Sequence, residues 1–313
     1  MKHFTIIYYF VFLSCSMHSQ SFVSVTIDDV PNTGKYQTDN YQSKLLNKLD
    51  SLDIPVTIFI NEGLIYLTDS VSKNFNLLNN WIQKDYVTPG NHTFSHSRYS
   101  DVGLALFKED IEKGESITRE LAKKYNKSLR YFRFPYNDLG KDSLQHNQIN
   151  EYLAAKGYIK MPFTVESSDW MYNSVYEYYL NKLEYAKAAA IAKDYIAKTL
   201  AYFDFYDSLT IKIYGRKVNH IYLCLDNSIN ADYLPVLVEQ LRKKDYTFIG
   251  VDEAMQDDIY EQTDNYYKKW GISWLYRWMN NQQEISSFMK TEPSTEEIEK
   301  LYEQLNKDNT YSK

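Results

Sequence analysis

The chain has 313 residues, 44% of them hydrophobic, enough to bury one large core and too apolar for a disordered tail. A net charge of -6 and a pI near 5.6, with no basic stripe, argue against a nucleic-acid partner. Thirty tyrosines suit half-buried strands and sugar-stacking surfaces, although compositional drift produces the same count.

Met1-Lys2-His3 precedes an apolar run over residues 4–13, followed by small and polar residues to Ser21. That order reads as a secretory signal over residues 1–20, cut near Ser19-Gln20, and the run is too short to span a bilayer. Phe12-Leu13-Ser14-Cys15 is a variant lipoprotein signal, which offers lipid anchoring through Cys15 as an alternative. Either way the protein is expected to be exported: periplasmic, cell-surface or secreted. The second cysteine, Cys224, lies in an apolar strand and reads as inert core, so no internal disulfide is expected.

Apolar runs predict strands at 22–27, 56–60, 86–87, 131–134, 158–163, 220–225 and 246–251. Helical periodicity places helices at 41–52, 72–84, 106–125, 143–156, 175–200 and 231–243. Strand and helix alternating over 21–252 predict parallel strands with helical crossovers, as a barrel or an open sheet. Residues 253–313 are acidic, then aromatic, and end in a helix around 295–306. They read as a helical, aromatic-rich extension packed on the same domain.

Parallel α/β sheets place chemistry at the carboxyl ends of strands, so those ends carry the candidate residues. Asp28-Asp29 closes the first strand, and adjacent carboxylates repel unless a cation lies nearby. Taken alone the pair also suits a turn or helix cap. His92 and His96 are four apart, which would place both imidazoles on one face of a helical turn, a grip suited to zinc-like ions. Two nitrogens and the carboxylate of Asp29 leave coordination positions open, the pattern of a catalytic metal. Arg133, in Phe132-Arg133-Phe134-Pro135-Tyr136, can neutralise and orient a carboxylate base. Ser167-Ser168-Asp169-Trp170 adds a carboxylate that could hold Arg133 and an indole that could wall a sugar site.

These residues resemble the motifs of the polysaccharide deacetylase family, the NodB-homology domain of carbohydrate esterase family 4. Thr26-Ile27-Asp28-Asp29, His92-Thr93-Phe94-Ser95-His96, Arg133-Phe134-Pro135-Tyr136, Ser168-Asp169-Trp170 and, less well, Ile221-Tyr222-Leu223-Cys224-Leu225 match in order across roughly residues 22–252. The resemblance implies an α/β fold, a distorted (β/α) barrel, and removal of N- or O-acetyl groups from an acetylated poly- or oligosaccharide. It implies a divalent metal on Asp29, His92 and His96, zinc (Zn2+) first, with cobalt, nickel or manganese as alternatives. It makes Asp28 the general base, Arg133 its tuning partner and Asp169 the residue that holds Arg133. The Tyr136 backbone N–H would face the oxyanion, and Trp170 and Leu223 would line the acetyl pocket.

Two departures stand out. Val30-Pro31 replaces the glycine that usually follows the carboxylates, and Leu225 stands where the family has the histidine that protonates the leaving group. His220 lies five residues back, on the opposite face and roughly 16 Å away at 3.3 Å per residue, so it is a poor substitute. Asp226 and Asp28 remain alternatives. A lost general acid removes roughly 10²–10⁴-fold of rate, and esters need that acid less than amides do. The expected function is therefore a carbohydrate deacetylase or esterase, with an impaired relative that binds glycan without turnover as the alternative. A structural envelope protein is the third reading. No protein partner and no transmembrane helix are expected.

Overall fold

The computed structural model describes residues 20–264 and 266–311, so the signal and Cys15 expectations fall outside the described residues. Among these, eight strands form one sheet: β1 (Ser21–Val30), β2 (Val56–Ile60), β3 (Val87–Asn91), β4 (Tyr131–Phe132), β5 (Ile159–Lys160), β6 (Val165–Glu166), β7 (His220–Leu225) and β8 (Tyr246–Phe248). Their order is β5-β4-β3-β2-β1-β7-β6, with β8 added on β1, and every pairing is parallel. β1 and β2 are rich in Val, Ile and Thr, β7 carries Ile, Tyr and Leu, and all three are buried along almost their whole length, as strands covered on both faces require.

The crossovers and flanks are helical: α1 (Thr33–Tyr36), α2 (Lys44–Leu49), α3 (Val71–Ile82), α4 (Tyr99–Lys113), α5 (Ser116–Lys124), α6 (Ser143–Ala155), α7 (Asp169–Asn181), α8 (Tyr185–Tyr214) and α9 (Ser228–Lys243). The remaining helices are α10 (Val251–Ala254), α11 (Trp274–Arg277), α12 (Gln282–Met289) and α13 (Glu296–Tyr311). The result is the distorted (β/α) barrel expected from the motifs: a curled sheet with helices outside.

Several boundaries differ from the sequence expectation for identifiable reasons. The helix expected over 106–125 is two, α4 and α5, because the chain turns at Gly114-Glu115. The helix expected over 175–200 is also two, α7 and α8, separated at Lys182-Leu183-Glu184, where Leu183 takes a left-handed φ of 60°. The strand expected over 158–163 stops at Lys160, and a separate β6 follows Pro162, which has no N–H for a ladder.

Residues 161–164 carry the chain directly from β5 to β6, which do not pair with each other, so the barrel has a seam there. A seam leaves backbone carbonyls needing other donors. Three are provided: Arg133 Nη2 donates to Pro162 O at 3.0 Å, Trp274 N to Phe163 O at 3.0 Å, and Ser273 Oγ to Thr164 O at 2.7 Å. The C-terminal extension is thus hydrogen-bonded into the barrel wall. Phe59, Tyr131, Met161, Ile221 and Ile249 form a second buried apolar cluster in the barrel.

Packing against the histidine loop is tight. A Cβ on Gly114 would lie 2.4 Å from Thr93 C and 2.5 Å from Phe94 N, both backbone atoms that cannot swing away. Gly114→Ala is therefore expected to cost about 1–3 kcal/mol of stability. The same push should displace the His92–His96 loop. Urea midpoints check the effect, and a variant with the wild-type midpoint would contradict this packing.

Candidate active site

Asp28 and Asp29 are neighbours in β1, and in a regular strand they would point to opposite faces. The β1–β2 register slips between Ile27, opposite Ile58, and Val30, opposite Ile60, so two residues face one. Asp29 takes a φ of 62°, which Asp tolerates better than most residues. This bulge turns both carboxylates the same way: Asp28 Oδ2 and Asp29 Oδ1 each lie 3.8 Å from His92 Nε2.

The histidines are not on a helical turn, as their spacing suggested. They occupy a loop after β3, turned by two left-handed residues, Thr93 at φ 68° and His96 at φ 56°. Local side chains hold it: Thr93 N donates to Asn91 Oδ1 at 2.7 Å and His96 N to Thr93 Oγ1 at 3.1 Å. His92 Nδ1 donates to the carbonyl of Arg133 at 2.7 Å, which fixes the tautomer and leaves Nε2 free to ligate. His96 Nε2 lies 3.3 Å from Asp29 Oδ1. Ligand atoms of Asp29, His92 and His96 all lie within 4.8 Å of one another. Burial holds both imidazoles below their usual range, hence neutral, and pushes Asp28 and Asp29 up to about 6. Neutral imidazoles beside a carboxylate lacking a counter-charge are a donor set that fits a divalent cation.

Arg133 is fully buried, with Nη1 donating to Asp28 Oδ1 at 2.9 Å and Thr26 Oγ1 at 2.7 Å, and its guanidinium over the Phe59 ring at 4.4 Å. The guanidinium partly offsets the burial that pushes Asp28 up. Asp169 does not hold Arg133, contrary to expectation. Its Oδ2 instead accepts from Leu225 N at 2.7 Å, Asn227 Nδ2 at 3.2 Å and Asn230 Nδ2 at 2.5 Å, because α7 begins beside β7. Its Oδ1 is buried with no hydrogen-bond partner among the described residues, and burial pushes the carboxyl up to about 7.

Tyr136 packs against His96 with ring centroids 4.5 Å apart and planes tilted by 57°, and it is half exposed. Trp170 is exposed at the start of α7, whereas Leu223 is buried in β7 opposite Thr26. Leu225 lies opposite Asp28, so a side chain there shares the base's face of the sheet. His220 is bound to Asp207 at 3.1 Å and Thr164 at 2.9 Å, away from these groups. Asp226 accepts from Tyr36 OH at 2.5 Å and Asn32 N at 3.0 Å. A cleft of about 500 Å³ opens beside the ligands, lined by Asp29, Asn61, Leu67, Phe94 and His96.

Glu166 was missed by sequence reasoning, although a lone acid in Phe163-Thr164-Val165-Glu166 was a signal. It pairs with Leu223 in the β6–β7 ladder, so it shares the face of Leu223 and Leu225. Burial, then Asp169, then Glu292 and Asp28 push its carboxyl up to about 8, against a hydrogen bond from Ser168 N. A folded-state value above the unfolded one favours folding at low pH, a contribution lost as pH rises from about 4.5 to 8. Glu166→Gln should flatten that decline in stability. Urea midpoints across this range check it, and parallel curves for the two proteins would count against the assignment.

The description of the matching family model is polysaccharide deacetylase, over residues 17–155. No curated protein matches the sequence. Among solved structures, a pseudoenzyme of carbohydrate esterase family 4 from Bacillus anthracis aligns at TM-score 0.50 and 13% identity, over 76% of this chain and 66% of that one. A mutant of it with restored enzymatic activity aligns at 0.50 and 15%, over 76% and 68%. A polysaccharide deacetylase from Bacillus cereus aligns at 0.48 and 20%, over 73% and 91%. The barrel fold is common to the first two, and with the matched family model it shows that this protein resembles the polysaccharide deacetylases.

Proposed function

We propose that the protein is an exported, metal-dependent hydrolase that removes N- or O-acetyl groups from a carbohydrate. The observation that carries this reading is the cluster of Asp29, His92 and His96 ligand atoms within 4.8 Å, beside a buried Asp28–Arg133 pair. Asp29, His92 and His96 would hold the ion, and the two-nitrogen, one-carboxylate set suits zinc, with cobalt, nickel or manganese as alternatives. When bound, such an ion polarises a carbonyl and makes water acidic enough to attack near neutral pH.

The chain's own groups do the rest. Asp28 stands beside the ligands and takes a proton from attacking water. Arg133 fixes the Asp28 carboxylate and favours its ionised, proton-accepting form. The Tyr136 backbone N–H faces the developing oxyanion, and Leu223 and Trp170 bound the acetyl group. No helix among the described residues is long and apolar enough to cross a membrane. Export rests on residues 1–20.

A second reading, an impaired relative that binds glycan without turnover, is favoured by one observation. Leu225 brings no proton to the leaving group. Because an alkoxide leaves more readily than an amine anion, Leu225 tilts the substrate toward acetyl esters.

Acetate release from acetylated xylan, chitin oligomers and peptidoglycan fragments tests the proposal, with metal content measured alongside. Bound metal with no acetate from any of them would favour the binding reading. Leu225→His should raise turnover at least about tenfold, the low end of a general acid's contribution. An active wild type with no gain in the variant would mean another group already supplies the proton. Replacing Asp29 or His96 by Ala should cut zinc affinity by more than about 100-fold, beyond what loss of an outer-shell partner costs.

A further inference from the structure

The C-terminal extension also reaches the site, and its contacts give it a role there. Tyr136, packed at a tilt against His96, carries the Arg98 guanidinium on its ring at 4.1 Å, and Arg98 also lies over the ring of Trp270 at 5.2 Å. His96, Tyr136, Arg98 and Trp270 thus form one continuous ladder from a ligand histidine to the extension. Trp270 is 67% exposed at its end.

This indole is held in place. Arg98 Nη1 donates to Lys269 O at 3.1 Å, and Tyr266 OH donates to Trp270 O at 2.6 Å. Gly271 packs so closely on the loop after β4 that a Cβ there would lie 2.2 Å from Asn137 Cβ. A solvent-facing indole on a hydrogen-bonded backbone next to the proposed site offers a stacking surface for a sugar ring. The ladder's three steps of 4.5, 4.1 and 5.2 Å put it no more than about 14 Å from His96. A ring with its acetyl at the ligands would not reach it, whereas a neighbouring ring of the same chain would. The adjacent cations are already engaged, Arg98 by Asp138 at 3.9 Å and Lys269 by Asp101 at 2.9 Å. With both cations paired to carboxylates, neither favours an acidic sugar over a neutral one.

We propose that Trp270 forms a sugar-stacking subsite that selects neutral acetylated oligosaccharides of several rings over single acetylated sugars. This rests on the deacetylase reading for the chemistry and on the extension's own geometry for the binding. The test compares wild type, Trp270→Ala and Trp270→Phe on chito-oligosaccharides and acetylated xylo-oligosaccharides of one to five rings. In the wild type, kcat/KM should rise about tenfold or more with length, the scale of one aromatic stacking contact. Trp270→Ala should lose that rise and Trp270→Phe should keep most of it. An unchanged length dependence in Trp270→Ala overturns the proposal. If no acetate is released from any of these, the deacetylase reading fails, and calorimetric titration with the five-ring oligosaccharides decides the subsite separately. Binding about tenfold weaker in Trp270→Ala supports it, whereas equal affinities, or no binding to the wild type, overturn it.

Discussion

Arg133 ties three parts of the molecule together, and each would be left incomplete without it. Its guanidinium binds the carboxylate proposed as the base, its backbone carbonyl orients His92, a proposed metal ligand, and its second Nη closes part of the barrel seam. Removing one partner of a buried ion pair typically costs about 3–5 kcal/mol, because the remaining charge is stranded. The pair is therefore a poor way to gain stability compared with apolar packing. Its value lies in geometry, since it locks the spacing between β1, β4 and the seam on which the ligand cluster depends.

Much of the fold was legible because periodicity reports burial. β2 and β7 ended where their apolar runs ended, and the crossover helices followed their amphipathic stripes. The failures were local. β3 runs on through Thr88-Pro89-Gly90-Asn91, beyond the strand expected at 86–87, and at Gly90 a Cβ would meet the Phe59 ring at 2.5 Å. The four-residue histidine spacing is as compatible with a loop carrying two left-handed residues as with a helical turn. No sequence pattern distinguishes them when Thr93 and Asn91 supply the loop's own hydrogen bonds.

The site was legible as a set of residues and only partly as a set of contacts. Asp28, Asp29, His92, His96 and Arg133 converge as their positions at strand ends implied. The partner of Asp169 was misjudged because choosing between Arg133 and the Leu225–Asn230 turn depends on how α7 seats against β7. Glu166 escaped notice because one acid in a short strand carries no periodic signal, and its surroundings come from β7, α7 and the extension. Asp169 now binds a backbone N–H and two amides, so the turn after β7 is rigid in a form that does not need a side chain at position 225.

The seam gives the extension a meaning that its helical content does not suggest. Two of the three carbonyls between β5 and β6 are capped by Ser273 and Trp274, residues more than a hundred positions downstream. The last stave of the barrel is therefore laid by the end of the chain. Until residues 273 and 274 have emerged, the Phe163 and Thr164 carbonyls lack these donors, so the wall is completed only after every strand is already made.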